Sequence, residues 1–399
     1  MKWVIPGLVI GVALSSAVSA LAQEVVEDDV RTQYARARLV RLADGLEHPW
    51  AVAFLPDGRF LVTEKQGRLQ LIDADGGKTE ITGLPDDIST RGQGGLLDVV
   101  AHPDYEDDGN GWIYLTYAKQ GEGGTATTLI RARLEGDALA DVEELFVQDR
   151  YSSPGRHYGS RVAFMHDGTL LMSVGERGAG MRPPRAQHLD DHAGTILRLN
   201  DDGSVPDDNP FIDHDDALPE IYSYGHRNIQ ALIVHPETGE AWATDHGPRG
   251  GDRLDRIEPG VNYGWPLSTL GLDYGSQEQF GEGRAHPDHR FPVHEFLPPI
   301  APSGLAYVSG QHFPNWEGNL LAGGLRSQRI MRLVIDEGTI RYADADGEMV
   351  PITGPYVAHG EELLYGSIGR IRDVRTGPDG HIYIINDRDG AGLYRLEPR

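Results

Sequence analysis

The sequence predicts an all-β protein, a six-bladed β-propeller of four-stranded antiparallel blades. Three observations carry this. Apolar residues come in runs of about four to eight bounded by turn residues, and almost no stretch shows a long 3.6-residue period. Gly 51 and Pro 25 in 399 residues make the chain rich in turns without making it low-complexity. A turn signal followed by a strand recurs six times, and radial repetition of such units removes exposed sheet edges.

In chain order, Lys2 precedes an apolar run from Trp3 to Ala13 and small residues ending Ala20-Leu21-Ala22, which read as an export signal cleaved after Ala22. The alternative is an uncleaved anchor, but Pro6 and Gly7 weaken a spanning helix that needs about 20 apolar residues. Residues 23–37 read as an acidic leader and 38–399 as one propeller domain. The early strand around Leu39 to Leu42 is expected to join the last blade and close the ring.

The six units open at Leu55-Pro56-Asp57-Gly58, His102-Pro103-Asp104, His166-Asp167-Gly168, His235-Pro236-Glu237, Phe313-Pro314-Asn315 and Gly377-Pro378-Asp379-Gly380. Each runs into a strand such as Phe60-Leu61-Val62 or Ile382-Tyr383-Ile384, and further strands follow, for example Ile196-Leu197-Arg198-Leu199. Unequal spacing between units means a shared core with loops of different length. A pair of β-sandwiches is the competing architecture.

Lys+Arg 36 against Asp+Glu 61 leaves a net charge of -25, which repels nucleic acid phosphate and anionic lipid. The absence of cysteine excludes disulfides, thiolate zinc sites and thiol nucleophiles. No HExxH, Walker A or GxSxG element is present. The mature protein is expected to be periplasmic or secreted, without membrane insertion or nucleic acid partner, and monomeric rather than oligomeric.

Chemistry then rests on four polar, Gly-rich stretches from different blades: Gly92-Gln93-Gly94-Gly95, His157 to Arg161, Gly225-His226-Arg227-Asn228, and Arg370 to Asp373. Glycines beside polar side chains let a flat ligand approach closely. His157 reads as a base or as a satisfied structural histidine, and His226 as structural. Arg370 and Arg372 alternate on a strand and face one side, so they imply a multi-carboxylate ligand or carboxylate network, unless the pair is solvated. Asp245-His246-Gly247-Pro248-Arg249-Gly250-Gly251-Asp252 offers oxygen ligands of the kind calcium takes, or is a plain turn.

These motifs, with Val261-Asn262-Tyr263-Gly264-Trp265-Pro266, resemble in kind and order those of the glucose/sorbosone dehydrogenase family, specifically the soluble quinoprotein glucose dehydrogenases and the bacterial aldose sugar dehydrogenases. The resemblance runs from about Leu42 to the C-terminus. It implies a propeller binding pyrroloquinoline quinone (PQQ) and calcium, oxidising the anomeric carbon of aldose sugars to lactones. It implies His157 as general base and Arg227 as the cation facing developing charge. It also implies Gln93, Asn228, Arg326, Arg370 and Arg372 as cofactor contacts, and the carbonyls of Gly247 and Pro248 as calcium ligands. Arg326 stands where the glucose dehydrogenases have lysine, and their aromatic and hydroxyl residues are missing around Leu297 to Ile300. The electron acceptor is unspecified. The competing functions are a redox-inactive propeller binding a sugar or protein partner, and a calcium-dependent lactone or ester hydrolase.

Overall fold

The computed structural model describes residues 23–106, 110–343 and 349–399; the export signal predicted at 1–22 lies outside them. The strands form six antiparallel sheets. Blades 1 to 5 occupy residues 49–81, 96–147, 159–224, 229–295 and 302–363, each a four-stranded meander. Their first strands touch in cyclic order and meet that of blade 6, which touches blade 1 in turn, so the sheets close into a propeller.

Blade 6 combines Ile371–Thr376, Ile382–Asn386 and Asp389–Pro398 with the early strand Arg36–Glu47, in register Leu39↔Leu396 and Arg41↔Tyr394. The two ends of the chain are thereby joined through main-chain hydrogen bonds, as the sequence predicts. One feature goes further. Glu24–Arg31, expected to stand outside the propeller, pairs with Arg36–Glu47 and makes the last sheet five-stranded. Val30 is buried there, Trp316 Nε1 donates to Gln33 O at 3.0 Å, and Arg399 pairs with Asp28 at 3.0 Å. The acidic side chains of this outermost strand discourage further edge pairing.

The second strands Phe60–Glu64, Leu170–Val174, Ala241–Asp245, Leu320–Gly324 and Ile382–Asn386 are buried along their whole length. Neighbouring blades cover both faces, which is why these strands read as continuous apolar runs rather than alternating ones. Between blades 1 and 2, Leu61, Leu96, Leu115 and Ile130 pack together, and each such side chain contributes about 1.5–3 kcal/mol by leaving water.

Because neighbouring strands are antiparallel, the loop entering each first strand and the loop leaving each second strand lie at the same end of the ring. The six turns that mark the repeats join first to second strands and therefore lie at the opposite end. Across the axis, Arg161 contacts Asp98 at 3.3 Å and Asp373 at 3.0 Å, and Arg375 pairs with the same two carboxylates. This buried ionic cluster ties blades 2, 3 and 6 together beneath the loop end.

Candidate active site

At the loop end lies a cavity of about 450 Å3, within the range of small-molecule sites. It is contiguous with an open cleft of about 700 Å3, because Gln93, His157, Arg227 and Tyr274 line both. Lys65, Arg227, Arg370 and Arg372 line the cavity against the single carboxylate of Asp387, an excess of cation in a chain of net charge -25.

His157 stands at the junction of the two spaces, in the loop entering the first strand of blade 3. Its backbone is left-handed, with φ 54°. It is held there because Gln93 Oε1 accepts from its N–H at 2.7 Å and because Gly175 leaves room for its carbonyl; a Cβ at 175 would come within 2.1 Å of that oxygen. His157 Nδ1 hydrogen-bonds the Glu176 carboxylate, which also accepts from the N–H groups of Gly178 and Gly180 at 2.9 and 2.7 Å. Nε2 has no protein partner among the described residues. Burial, aided by the Arg227 charge, pulls the His157 pKa from 6.5 to about 4, outweighing the opposing effect of Glu176. The imidazole is therefore neutral near pH 7. Burial pushes the Glu176 carboxyl upward, but its bond to His157 prevails and leaves it below the usual range.

Arg227 and Asn228 enter blade 4 and are fixed through their main chain. Their N–H groups donate to the Asp245 carboxylate at 2.8 and 2.6 Å. Burial raises Asp245 to about 6. The Arg227 side chain donates to His246 O at 3.1 Å and lies over Trp265, while its buried Nε has no partner. Asn228 Oδ1 accepts from Gly159 N at 3.1 Å, bracing the His157 loop from the other side. The oxygens of Gln93 and Asn228 are thus engaged, and their NH2 groups have no protein partner among the described residues.

Arg370 and Arg372 do face one side, and a carboxylate does lie between them: Asp387 Oδ2 is 3.1 Å from Arg370 and 3.2 Å from Arg372. His48 Nδ1 is 2.8 Å from Oδ1. Although burial opposes it, the paired charges hold the Asp387 carboxyl at about 2.

Gly247 lines the cavity and Pro248 the cleft. Gly247 N donates to Asp252 at 3.0 Å, and Asp252 also accepts from Ala301 N at 2.7 Å. No hydrogen bond among the described residues ends on the carbonyl oxygen of Gly247 or Pro248.

The structure therefore brings together His157, Arg227, Gln93, Asn228, Arg370, Arg372, Gly247 and Pro248. Arg326 is exposed and lies outside both walls: its N–H bonds Ile300 O at 3.0 Å, and the turn sends Leu325 inward instead. The lysine in the wall is Lys65, from blade 1. Sequence reading missed Lys65, Glu176, Asp387, His48, Trp50 and Tyr274. Asp387 directly follows the second-strand run of its blade, the same place in the repeat as His246, Glu176 stands one residue further on in its own blade, and that region was the available signal. His226 stacks on Tyr263 with centroids 4.6 Å apart and bonds Ser223 Oγ at 2.9 Å, a structural role as expected.

Comparison with known proteins identifies the family. The family model for glucose / sorbosone dehydrogenase matches residues 46–395. Aldose sugar dehydrogenase YliI of Escherichia coli K12 is 37% identical over 364 residues, covering 90% of this chain and 92% of its own. A crystal structure of a glucose dehydrogenase superposes with TM-score 0.81 at 37% identity, covering 90% of this chain and 98% of its own. The PQQ-bound aldose sugar dehydrogenase of Streptomyces coelicolor superposes with TM-score 0.68 at 27% identity, covering 90% and 96%. With the propeller, the ordered motifs and these matches in place, the chain belongs to the glucose/sorbosone dehydrogenase family.

Proposed function

We infer that this protein is an exported sugar dehydrogenase that oxidises the C1 hydroxyl of aldoses to lactones, with PQQ and calcium held at the loop end. The observation that carries the reading is His157: a buried, neutral imidazole with one nitrogen fixed by Glu176 and the other open, where a cationic cavity meets an open cleft.

The residues present fit both groups. The uncompensated cations suit a flat quinone bearing several carboxylates, for which guanidinium offers paired, planar hydrogen bonds. The open NH2 groups of Gln93 and Asn228 suit its oxygen atoms, and the orphaned Arg227 Nε supplies a further donor. The unbonded carbonyls of Gly247 and Pro248 are hard oxygen donors of the type calcium selects. Lys65, Arg370 and Arg372 would hold the carboxylates. When bound, PQQ supplies a two-electron acceptor and calcium a Lewis acid at its oxygen.

The chain's own residues do the rest. His157 Nε2 takes the proton of the sugar's C1 hydroxyl as the hydride departs from C1. Glu176 holds the ring with its proton on Nδ1 and Nε2 bare. Arg227, fixed through its main chain to Asp245, presents positive charge where negative charge develops and does not reorganise to do so. Trp265 and Phe280, stacked 4.9 Å apart in the cleft wall, offer an apolar surface to a sugar ring.

The test is titration of PQQ into metal-stripped protein with and without calcium, following dye reduction by aldoses, beside His157→Ala. Saturable turnover that needs both additions and falls at least about 100-fold in the variant supports the reading. Lactone hydrolysis without PQQ would instead support the hydrolase.

A further inference from the structure

The cleft beside His157 carries a charge pattern that oxidation of neutral sugars does not require. Of the 32 arginines in the sequence, 22 form ion pairs with carboxylates, as expected for a chain with 61 acidic residues; ten do not among the described residues. Arg31 and Arg341 lie far from the site in the chain. Of the other eight, Arg156, Arg182 and Arg227 line the cavity or the cleft, whereas Arg326 is turned outward and Arg177 is buried against the Tyr158 ring. Three guanidiniums without a carboxylate partner among the described residues thus face one opening on this polyanionic protein, where they focus a positive field.

Four of the cations lining the cavity, Lys65, Arg227, Arg370 and Arg372, are assigned above to the quinone. Arg156 and Arg182 are not. Both line the cleft, both are exposed, and neither has a carboxylate partner. Among the described residues the Arg156 side chain makes only a long hydrogen bond to Gly178 O at 3.4 Å. The cleft's own carboxylates are engaged elsewhere: Glu176 with His157 and two amides, and Asp273 with the N–H groups of Gly275 and Ser276 at 2.8 and 2.9 Å. A ligand in the cleft therefore meets two free guanidiniums, an aromatic stack and the base.

Resting on the function inferred above, we propose that the preferred substrates are acidic aldoses, sugars with a free reducing end and a ring carboxylate, which Arg156 and Arg182 engage. The carboxylate of such a uronic acid stands on C5, on the other side of the ring oxygen from C1, so C1 can face His157 while the carboxylate reaches the guanidiniums. The chemistry at C1 is unchanged. The C1 hydrogen leaves with the bonding pair as hydride, for which the bound quinone would be the acceptor, the hydroxyl proton goes to His157, and C1 becomes the carbonyl of an aldaric acid lactone. An external acceptor dye would take up the two electrons and close the balance.

The experiment compares kcat/KM for galacturonate and glucuronate with that for galactose and glucose, using PQQ- and calcium-loaded protein across ionic strength. The acids are expected to lead by about tenfold at low salt, the scale of one charge-assisted hydrogen bond, with the lead shrinking as salt screens it. In Arg156→Gln and Arg182→Gln, the acid-to-neutral ratio is expected to collapse through KM, with PQQ affinity, read from tryptophan fluorescence, intact. Equal kcat/KM for the two classes, an unchanged ratio in both variants, or variants that weaken PQQ binding instead, would overturn the proposal. Turnover of neutral aldoses alone sinks this inference and leaves the dehydrogenase standing; turnover of neither class sinks both.

Discussion

If burial holds His157 neutral, the folded protein must lose stability as acid forces a proton onto it. The unfolded chain has an ordinary histidine near 6.5, while the folded protein holds the ring at about 4. Between those values the unfolded state binds more protons, so stability falls as pH drops through 6.5 and the full penalty is reached below about 4. At about 1.4 kcal/mol per decade, the whole displacement is worth about 3 kcal/mol, of which about 2 kcal/mol is lost between pH 7.5 and pH 5. The assay is urea unfolding of the wild type and His157→Gln at both pH values. Other buried histidines such as His246, pulled to about 3 chiefly by burial, contribute to both curves and cancel in the difference. The wild type should lose about 2 kcal/mol more than the variant over this interval. Catalysis must agree. At pH 5.5 about 97% of His157 would be neutral, against about 9% for an ordinary histidine, so kcat/KM should hold nearly level down to that pH. Parallel stability curves, or an activity limb centred near 6.5, would refute the argument that burial sets the state of the base.

Asp387→Asn should cost about 2 kcal/mol near pH 7, measured by urea unfolding, because its carboxyl is held from 3.8 down to about 2 between two guanidiniums. This deficit should shrink as pH falls from about 4 toward 2, where the native carboxyl itself protonates. Glu176→Ala should lower kcat at least about tenfold with KM less affected, and Glu176→Gln, which still offers an acceptor to Nδ1, should recover part of the loss in steady-state assays. Removing the carboxylate also strands two amides, so thermal unfolding of the Ala variant should show a loss of about 1–3 kcal/mol. Gly92 has φ 64°, and a Cβ there would lie 2.1 Å from Gly155 O, so Gly92→Ala should shift the loop that aims Gln93 and weaken PQQ binding by titration.

Much of the fold was legible because the signals are local. The turn residues after each first strand and the short apolar runs exposed the repeat, and Leu39 to Leu42 announced the ring closure. The leader escaped because Glu24–Arg31 is acidic and alternates poorly; what makes it a strand is the open edge of Arg36–Glu47, itself held in the sheet by the C-terminal strand, together with Arg36 and Arg399 to meet its charges. The site was legible where several informative residues stand together, as at His157 and Arg227. It was illegible where one ordinary residue matters. Glu176, Lys65 and Asp387 are charged residues just past second-strand runs, each beside another charged residue, and their position in the repeat, rather than any motif around them, was the available signal. Arg326 shows the converse: the right residue type on the right loop, turned outward by a backbone bond to Ile300.

By itself the sequence determined the architecture, the family and the inventory of groups at one end of the ring, because strand periodicity and turn chemistry depend on residues near one another in the chain. Which groups act together was decided only in the folded molecule. Asp387 comes between Arg370 and Arg372, Glu176 meets His157, and Arg156, Arg182 and Arg227 come together at the opening because the ring closes residues from all six blades onto one axis. Burial there changes what a histidine or a carboxylate is at neutral pH, and burial is a property of the whole fold rather than of any segment.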